Sequence, residues 1–159
     1  MNATAERMVS EFMTRRVLSI HRGAELTDAI RMMGQERVSV LPVVDSTGKI
    51  CGMLSTSDLI SSTYNLQSDI SVLPYVSEAV QKTLIDAMSE DCRLQCVSSL
   101  MSDHVECVEA SATLGQAARL MTQNAIHHLP VVDEAGRPVG ILSTTDIVRA
   151  VGYSFDLGS

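Results

Sequence analysis

A serine followed three residues later by an aspartate occurs twice in this sequence, as Ser55 with Asp58 and as Ser143 with Asp146. At the start of a helix this spacing is typical of a capping box, in which side chains satisfy free backbone N–H groups. The same place suits a nucleotide, because a helix N-terminus attracts phosphate and a carboxylate can accept hydrogen bonds from both hydroxyls of a ribose. A structural cap and a ligand contact are therefore both open interpretations.

Two histidines, His127 and His128, precede the pair Leu129-Pro130. Apolar neighbours at this place suit the slot for a flat base, since such slots combine apolar walls with a few backbone groups. The alternative is a pair of surface histidines on a loop. No nucleophile and no set of metal ligands at a useful spacing accompanies them, so we predict neither a catalytic centre nor a metal site.

The four cysteines, Cys51, Cys92, Cys96 and Cys107, have none of the spacings of a zinc knuckle. We expect reduced, mostly buried thiols in a cytoplasmic protein. Because Cys92 and Cys96 are four residues apart and could share a helix face, a redox-linked or metal role for them is the alternative.

An internal repeat organises the chain, because residues 9–60 align with residues 97–148 without a gap. The densest match is Leu-Pro-Val-Val-Asp, which ends at Asp45 in one copy and at Asp133 in the other. Each copy predicts the order strand, helix, strand, strand, helix. In the first copy these are a short strand at 17–20, a helix with Leu26, Ala29, Ile30 and Met33 on one face, a hairpin of strands 40–44 and 50–54, and a helix opened by Ser55. The proline inside the second strand favours an edge position in the sheet.

Residues 61–96 do not fit the repeat. Residues 61–71 are polar and are expected to be irregular, whereas residues 75–88 have the apolar spacing of a helix that ends at the acidic pair Glu90-Asp91. This insertion either links and pads the two copies or covers a cleft or a partner. Residues 152–159 are expected to form a frayed tail.

Composition excludes several classes of protein. The net charge of −7 argues against a nucleic-acid surface. No apolar run is long enough for a membrane span or a signal peptide, so we expect no membrane contact and a cytoplasmic location. The acidic excess lies entirely in residues 61–159, so an anionic ligand is expected to contact arginines of the first part of the chain. Without a glycine-rich phosphate loop, a nucleophile elbow or a His-Glu-x-x-His motif, we predict that the chain is not an enzyme.

The doubled set of motifs resembles the cystathionine-β-synthase (CBS) domain: Met-Thr or Met-Ser before the first strand, Leu-x-x-Ala-x-x-x-Met in a helix, Leu-Pro-Val-Val-Asp, and Gly-hydrophobic-Leu-Ser-Thr followed by Asp. The resemblance implies an α/β (α+β) fold of tandem CBS domains packed as a pseudo-twofold pair. The expected boundaries are residues 1–66 for domain 1, 67–96 for a helical linker, 97–151 for domain 2 and 152–159 for a tail.

The resemblance also implies a function. It is a regulatory module that binds an adenosine nucleotide of the AMP, ADP or ATP type between the repeats and modulates an unknown partner protein, with no cofactor required. The alternatives are a sensor of S-adenosylmethionine or a nicotinamide dinucleotide, and a ligand-free interaction scaffold. We also expect a homodimer, because the Ala- and Met-rich helix faces at 29–33 and 117–121 look larger than one pair can bury.

The residues implied for binding divide by role. The base slot falls at Val17 and Val40 in one copy and at Val105 and His128 in the other. The ribose falls to Asp58 and Asp146. The phosphate is expected to contact Arg15 and Arg16, and His104 has the equivalent position in the second copy. The remaining implied neighbours are Ser39, Ser55, Thr56, His127, Ser143 and Thr144. Because Ser39 and Val40 stand where the family often has a basic residue or histidine, one cleft is expected to bind weakly or stay empty.

Overall fold

The computed structural model describes residues 3–62, 77–87 and 95–156. Within them the fold is mixed α and β, with two three-stranded sheets and their helices. The first repeat forms β1 (Ile20–His21), α1 (Leu26–Glu36), β2 (Val40–Val44), β3 (Ile50–Ser55) and α2 (Thr56–Ser61). Helix α3 (Glu78–Ala87) follows. The second repeat forms β4 (Val108–Glu109), α4 (Leu114–Asn124), β5 (His128–Val132), β6 (Pro138–Ser143) and α5 (Thr144–Asp156). The predicted order strand, helix, strand, strand, helix is confirmed in both copies.

Each sheet has its middle strand between a parallel neighbour and an antiparallel one. Strand β1 pairs with β2 only through Ile20 with Val43 and His21 with Val44. The prediction of a strand at 17–20 was therefore wrong for residues 17–19. Continuing this register would place Ser19 beside Pro42, which has no N–H to donate to a neighbouring strand.

The prolines Pro42 and Pro130 lie in the middle strand of their sheets, so the predicted edge position was wrong. The reason is local. Pro42 is opposite Met53, and Met53 exchanges both of its backbone hydrogen bonds, at 2.9 Å each, with Ser102 on its other side. The pair Pro42–Met53 is thus one of the non-hydrogen-bonded pairs of the ladder, and β1 does not extend to Pro42 on the opposite side. The missing N–H leaves no ladder bond unmade.

Helices α1 and α4 bury the apolar faces that the sequence predicted. Leu26, Ala29, Ile30 and Met33 are all fully buried in one core. In the second core Ala117 is fully buried and Met121 is 3 % exposed. These helix faces are therefore buried within their own cores. The argument that they provide a surplus surface for a homodimer was wrong. Both helices end in a left-handed residue, Arg37 and Ala125, whose N–H donates to the carbonyl of the residue four positions earlier.

The segment before each repeat's first strand, here called its arm, lies on the sheet of the other repeat. The first arm, residues 3–17, places Val9 in the core of the second repeat. Its backbone bonds to that repeat from Val9 N–H to Ala112 O (2.8 Å) and from Thr14 N–H to Ile141 O (2.9 Å). The second arm, residues 95–105, does the same on the first repeat, with Val97 N–H bonded to Ala24 O at 2.8 Å.

The sequence repeats and the compact units of the structure consequently differ. One unit, here called the β4–β6 unit, combines residues up to Val17 with those from Glu106 onward; the other, the β1–β3 unit, comprises Leu18–Val105. The boundary expected after residue 151 falls inside α5, which runs to Asp156, so residues 152–156 are helical instead of frayed. No proline interrupts this segment, and an exposed glycine such as Gly152 costs a helix only about 1 kcal/mol relative to alanine.

Helix α3 belongs to the insertion and contacts α1, with Ile85 against the core of the first repeat. Its bounds, Glu78–Ala87, lie within the predicted helix at 75–88. Residues 63–76 and 88–94, which include most of the predicted irregular stretch, the acidic pair Glu90-Asp91 and Cys92, lie outside the described residues.

Candidate functional site

Both Ser-x-x-Asp motifs form capping boxes. Asp58 Oδ2 accepts hydrogen bonds from the backbone N–H and the hydroxyl of Ser55, each at 2.7 Å, and the Asp58 N–H donates to Ser55 Oγ at 3.3 Å. Asp146 makes the same three bonds with Ser143 at 2.8, 2.7 and 3.2 Å. Both motifs therefore act as helix caps, and each capping box uses only one oxygen of its aspartate carboxylate.

The hairpin strands bring the residues before each proline beside the capping box. Val40 is paired with Ser55, and the N–H of Thr56 donates to the carbonyl of Ser39 at 2.9 Å. In the second repeat His128 is paired with Ser143, and the N–H of Thr144 donates to the carbonyl of His127 at 3.0 Å. Each unit therefore brings five predicted site residues side by side. They are Ser39, Val40, Ser55, Thr56 and Asp58 in one unit, and His127, His128, Ser143, Thr144 and Asp146 in the other.

The arms decide which of the remaining site residues join each group. Arg15, Arg16 and Val17 follow Thr14, whose partner Ile141 is two residues before Ser143 on β6. They belong to the β4–β6 unit, with His127, His128 and Asp146. Val105 follows Ser102, the partner of Met53, and belongs with Val40 and Asp58 in the β1–β3 unit.

The predicted grouping of Val17 with Val40, and of Val105 with His128, is not found within either unit. It assumed that each repeat builds its site from its own arm. Because each arm is hydrogen-bonded to the other repeat's hairpin, Val17 lies in the unit of His128 and Val105 in the unit of Val40.

A glycine in each hairpin lets the arm approach. A Cβ on Gly52 would strike Met101 Sδ and lie 3.0 Å from the carbonyl oxygen of Ser102. A Cβ on Gly140 would strike Met13 Sδ and lie 3.2 Å from the carbonyl oxygen of Thr14. The repeated methionine, the repeated glycine and the residue after the methionine therefore form one contact that fixes the arm against the sheet.

The CBS domain family matches residues 9–64 and 97–153, which is more than half of the chain. The chain belongs to the CBS domain family. Its relatives in that family include an uncharacterized protein, MJ1426, from Methanocaldococcus jannaschii, 27 % identical over 95 % of both chains. Another is the chloroplastic CBS domain-containing protein CBSX2 of Arabidopsis thaliana, 30 % identical over 89 % of this chain and 62 % of its own length.

Solved CBS structures share the fold. A crystal structure of CBSX2 in complex with AMP has a TM-score of 0.68 and 27 % identity, covering 92 % of this chain and 96 % of that one. The CBS domain pair of protein MJ0100, in complex with 5′-methylthioadenosine and S-adenosyl-L-methionine, has a TM-score of 0.68 at 20 % identity, covering 93 % and 98 % of the two chains. That second likeness concerns the fold alone.

Sequence reasoning missed one neighbour of the second capping box, Arg149. Its guanidinium lies 3.2 Å from Asp146 Oδ1, the carboxylate oxygen that the capping box leaves over. The signal was present, because residues three apart on a helix share a face. The first repeat has Ser61 at this position. Within residues 3–62, 77–87 and 95–156, Asp58 Oδ1 accepts no hydrogen bond.

The two histidines differ in how far they are buried. His128 is half-buried on β5, and burial lowers the pKa of its imidazole below the ordinary 6.5; neighbouring His127 lowers it further, and Asp146 opposes the shift. His127 is exposed. At neutral pH His128 is thus an uncharged ring that can act as donor or acceptor beside the capping box.

The cysteines that the structure describes are free thiols, namely Cys51, Cys96 and Cys107. Burial raises the pKa of Cys51 and Cys107, which keeps both protonated and unreactive at neutral pH. Cys96 is exposed, and its expected companion Cys92 lies outside the described residues.

Cavities elsewhere do not include the predicted site residues. One of about 790 Å³ lies between α1 and α3, lined in part by Arg31, Lys82 and Asp86. Another, of about 620 Å³, lies on β4 and α4 and includes Glu109 and Arg119. Both are shallow, and neither combines the repeated polar groups found at the capping boxes. No helix of the described residues is both long and apolar enough to cross a membrane.

Proposed function

We propose that this CBS protein is a cytoplasmic regulatory module that binds an adenosine nucleotide and thereby modulates a partner protein. The observation that carries the proposal is the doubled carboxylate. In both units one aspartate oxygen holds the helix start while the other is outside the cap.

The chemistry of the neighbours fits the ribose and the base of such a ligand. The outer oxygen of Asp58 can accept hydrogen bonds from ribose hydroxyls, and the hydroxyls of Ser55 and Thr56 lie next to it. The half-buried Val38 and Val40 in one repeat and Ile126 in the other offer apolar walls for a base. The AMP complex of CBSX2 supports adenosine as the common element, since that relative shares the fold at 27 % identity.

Calorimetric titration with AMP, ADP and ATP, combined with thermal unfolding, tests the proposal. A ligand at a hundredfold excess over its Kd stabilises the folded state by about 2.7 kcal/mol, which for a chain of this size raises Tm by roughly 5–10 °C. A double variant Asp58→Asn/Asp146→Asn should lose most of this shift. If none of the nucleotides binds, the proposal is refuted, and the chain is either a sensor of S-adenosylmethionine or a nicotinamide dinucleotide or a ligand-free scaffold.

We also propose a homodimer, on different grounds from the helix faces discussed above. Val148 and Tyr153 on α5 are 70 % and 53 % exposed, and exposed apolar side chains on one helix favour association. Sedimentation equilibrium should give a mass of about twice the 17.2 kDa of one chain. A single species of one-chain mass at all concentrations would contradict the homodimer without affecting ligand binding.

A further inference from the structure

A methionine of each arm packs on a glycine of the hairpin to which the arm is bonded. Met13 Sδ lies over Gly140, in the space that a Cβ on this glycine would fill, and Met101 Sδ lies over Gly52 in the same way. Both glycines are buried. Each methionine also packs against the core of the repeat on which its arm lies. Each of these methionine–glycine contacts is here called a latch.

Backbone hydrogen bonds between arm and hairpin lie directly beside each latch. Thr14, the residue after the methionine of the first latch, exchanges two hydrogen bonds with Ile141, at 2.9 and 3.0 Å. Beside the second latch, Ser102 and Met53 exchange two bonds at 2.9 Å each. Because these bonds lie one residue from the sulfur–glycine contact, displacing the methionine from its glycine should break them.

Each arm has a second attachment that does not involve sulfur. Val9 is fully buried and its N–H donates to Ala112 O at 2.8 Å, while Val97, also fully buried, donates to Ala24 O at 2.8 Å. These valines lie four residues before the methionines of the latches. An open latch therefore frees the part of the arm that follows the methionine and leaves the valine in place. Such a local opening needs less free energy than unfolding of the whole chain.

The methionines of the latches are partly open to solvent. Met13 and Met101 are half-buried, whereas Met33 is fully buried and Met121 is 3 % exposed. A small oxidant therefore reaches the thioethers of the latches more readily than those of the two cores. Oxidation converts an apolar methionine into a larger, polar and chiral sulfoxide. A packed contact with a buried glycine does not accommodate the added oxygen without a shift of the arm.

We infer that the two latches are redox-sensitive: oxidation of Met13 or Met101 to the sulfoxide by a hydroperoxide opens the latch and frees the end of its arm. The oxidant transfers one oxygen atom to the thioether. Its O–O bond breaks, an S–O bond forms and the sulfur loses two electrons. The peroxide is reduced to water or an alcohol, which takes up the proton of the transferred oxygen. The opening of a latch requires no nucleotide and is independent of the proposed function.

Controlled oxidation of the whole chain tests the inference. The wild type, Met13→Leu/Met101→Leu and Met8→Leu/Met32→Leu are treated with hydrogen peroxide, and the sulfoxide at each methionine is quantified by mass spectrometry. Leucine has a similar volume and no sulfur, so both double variants should melt near the wild type. The second variant is the matched control, because it removes as many thioethers outside the latches: Met8 is 52 % exposed and Met32 is half-buried. Amide hydrogen exchange is then followed by NMR.

Oxidation of the wild type should act at the latches and not along the whole arm. Exchange of the Thr14 and Ile141 amides should accelerate about tenfold to a hundredfold, the factor that corresponds to extra atoms in a packed contact, while the Val9 amide stays near its original rate. Methionine sulfoxide reductases of both stereospecificities should restore the original rates. Peroxide should leave these rates unchanged in Met13→Leu/Met101→Leu and should act on Met8→Leu/Met32→Leu as on the wild type.

Three outcomes would overturn the inference. In the first, Met13 and Met101 become sulfoxides and the amides beside the latches exchange at their original rates. In the second, they react only together with the buried Met33 and Met121, so that oxidation requires unfolding of the chain. In the third, peroxide accelerates exchange equally in Met13→Leu/Met101→Leu, so that another methionine is responsible. The first and second outcomes are read from the wild type alone and so do not depend on how well a variant folds.

Discussion

Replacing the capping aspartates by asparagine separates the two interpretations of the Ser-x-x-Asp motif. In Asp58→Asn the amide oxygen can still accept both bonds from Ser55, because a carbonyl oxygen has two lone pairs. The loss to folding is then the interaction of one negative charge with the helix start, about 0.3–1 kcal/mol. Tm should fall by no more than roughly 4 °C.

The loss to binding should be larger. A charged acceptor shared between two ribose hydroxyls contributes about 1.5–3 kcal/mol, which corresponds to roughly a ten- to hundredfold change in Kd. The effect should be unequal between the sites. Asp146→Asn also removes the ion pair with Arg149, whose guanidinium is 59 % exposed while the Asp146 side chain is only 10 % exposed, which adds about 0.2–1 kcal/mol to its folding cost.

Calorimetric titration and melting curves of both variants measure the two effects side by side. Asp28→Asn, an exposed aspartate on α1 whose carboxylate pairs with Arg31 outside the motif, is the matched control and should leave binding unchanged. Should Asp58→Asn and Asp146→Asn both melt lower and yet bind nucleotides like the wild type, the aspartates act only as caps, and the nucleotide sensor loses its main support.

Three further perturbations test the fold. Burial lowers the pKa of His128 in the folded state, so the unfolded state binds a proton at higher pH than the folded state does. The free energy of unfolding should therefore fall as the pH decreases below the unfolded pKa of 6.5. His128→Val should abolish this pH-dependent loss of stability, which is measured by comparing Tm at acidic and neutral pH. Gly140→Ala places a methyl group against Met13, and chemical denaturation should show a destabilisation of about 1–3 kcal/mol, whereas unchanged stability would show that the arm is not held there. Residues 1–66 expressed alone should be insoluble or molten, because Val9 is buried in a core that this fragment lacks; a cooperative, well-dispersed monomer in an NMR spectrum would contradict the crossed arms.

The sequence by itself determined the local architecture and the family. The apolar spacing through Leu26 and Met33 specifies a helix face that any sheet would bury, and Ser55 with Asp58 specifies a helix start. These features depend on contacts between residues close in sequence, so their period and spacing predict them. Because the same patterns occur in both copies of the repeat, they predict the same order of helices and strands in each copy.

The tertiary structure alone decided which residues share a unit. Val17 and Val40 are close in sequence but belong to different units, whereas Arg15 and Asp146 are far apart in sequence and belong to the same one. Nothing in the local pattern specifies this, because an arm can satisfy its N–H groups on either hairpin and the two hairpins present nearly identical edges. In the fold the buried Val9 and Val97 each complete the core of the other repeat, and the charges of the arms follow them there.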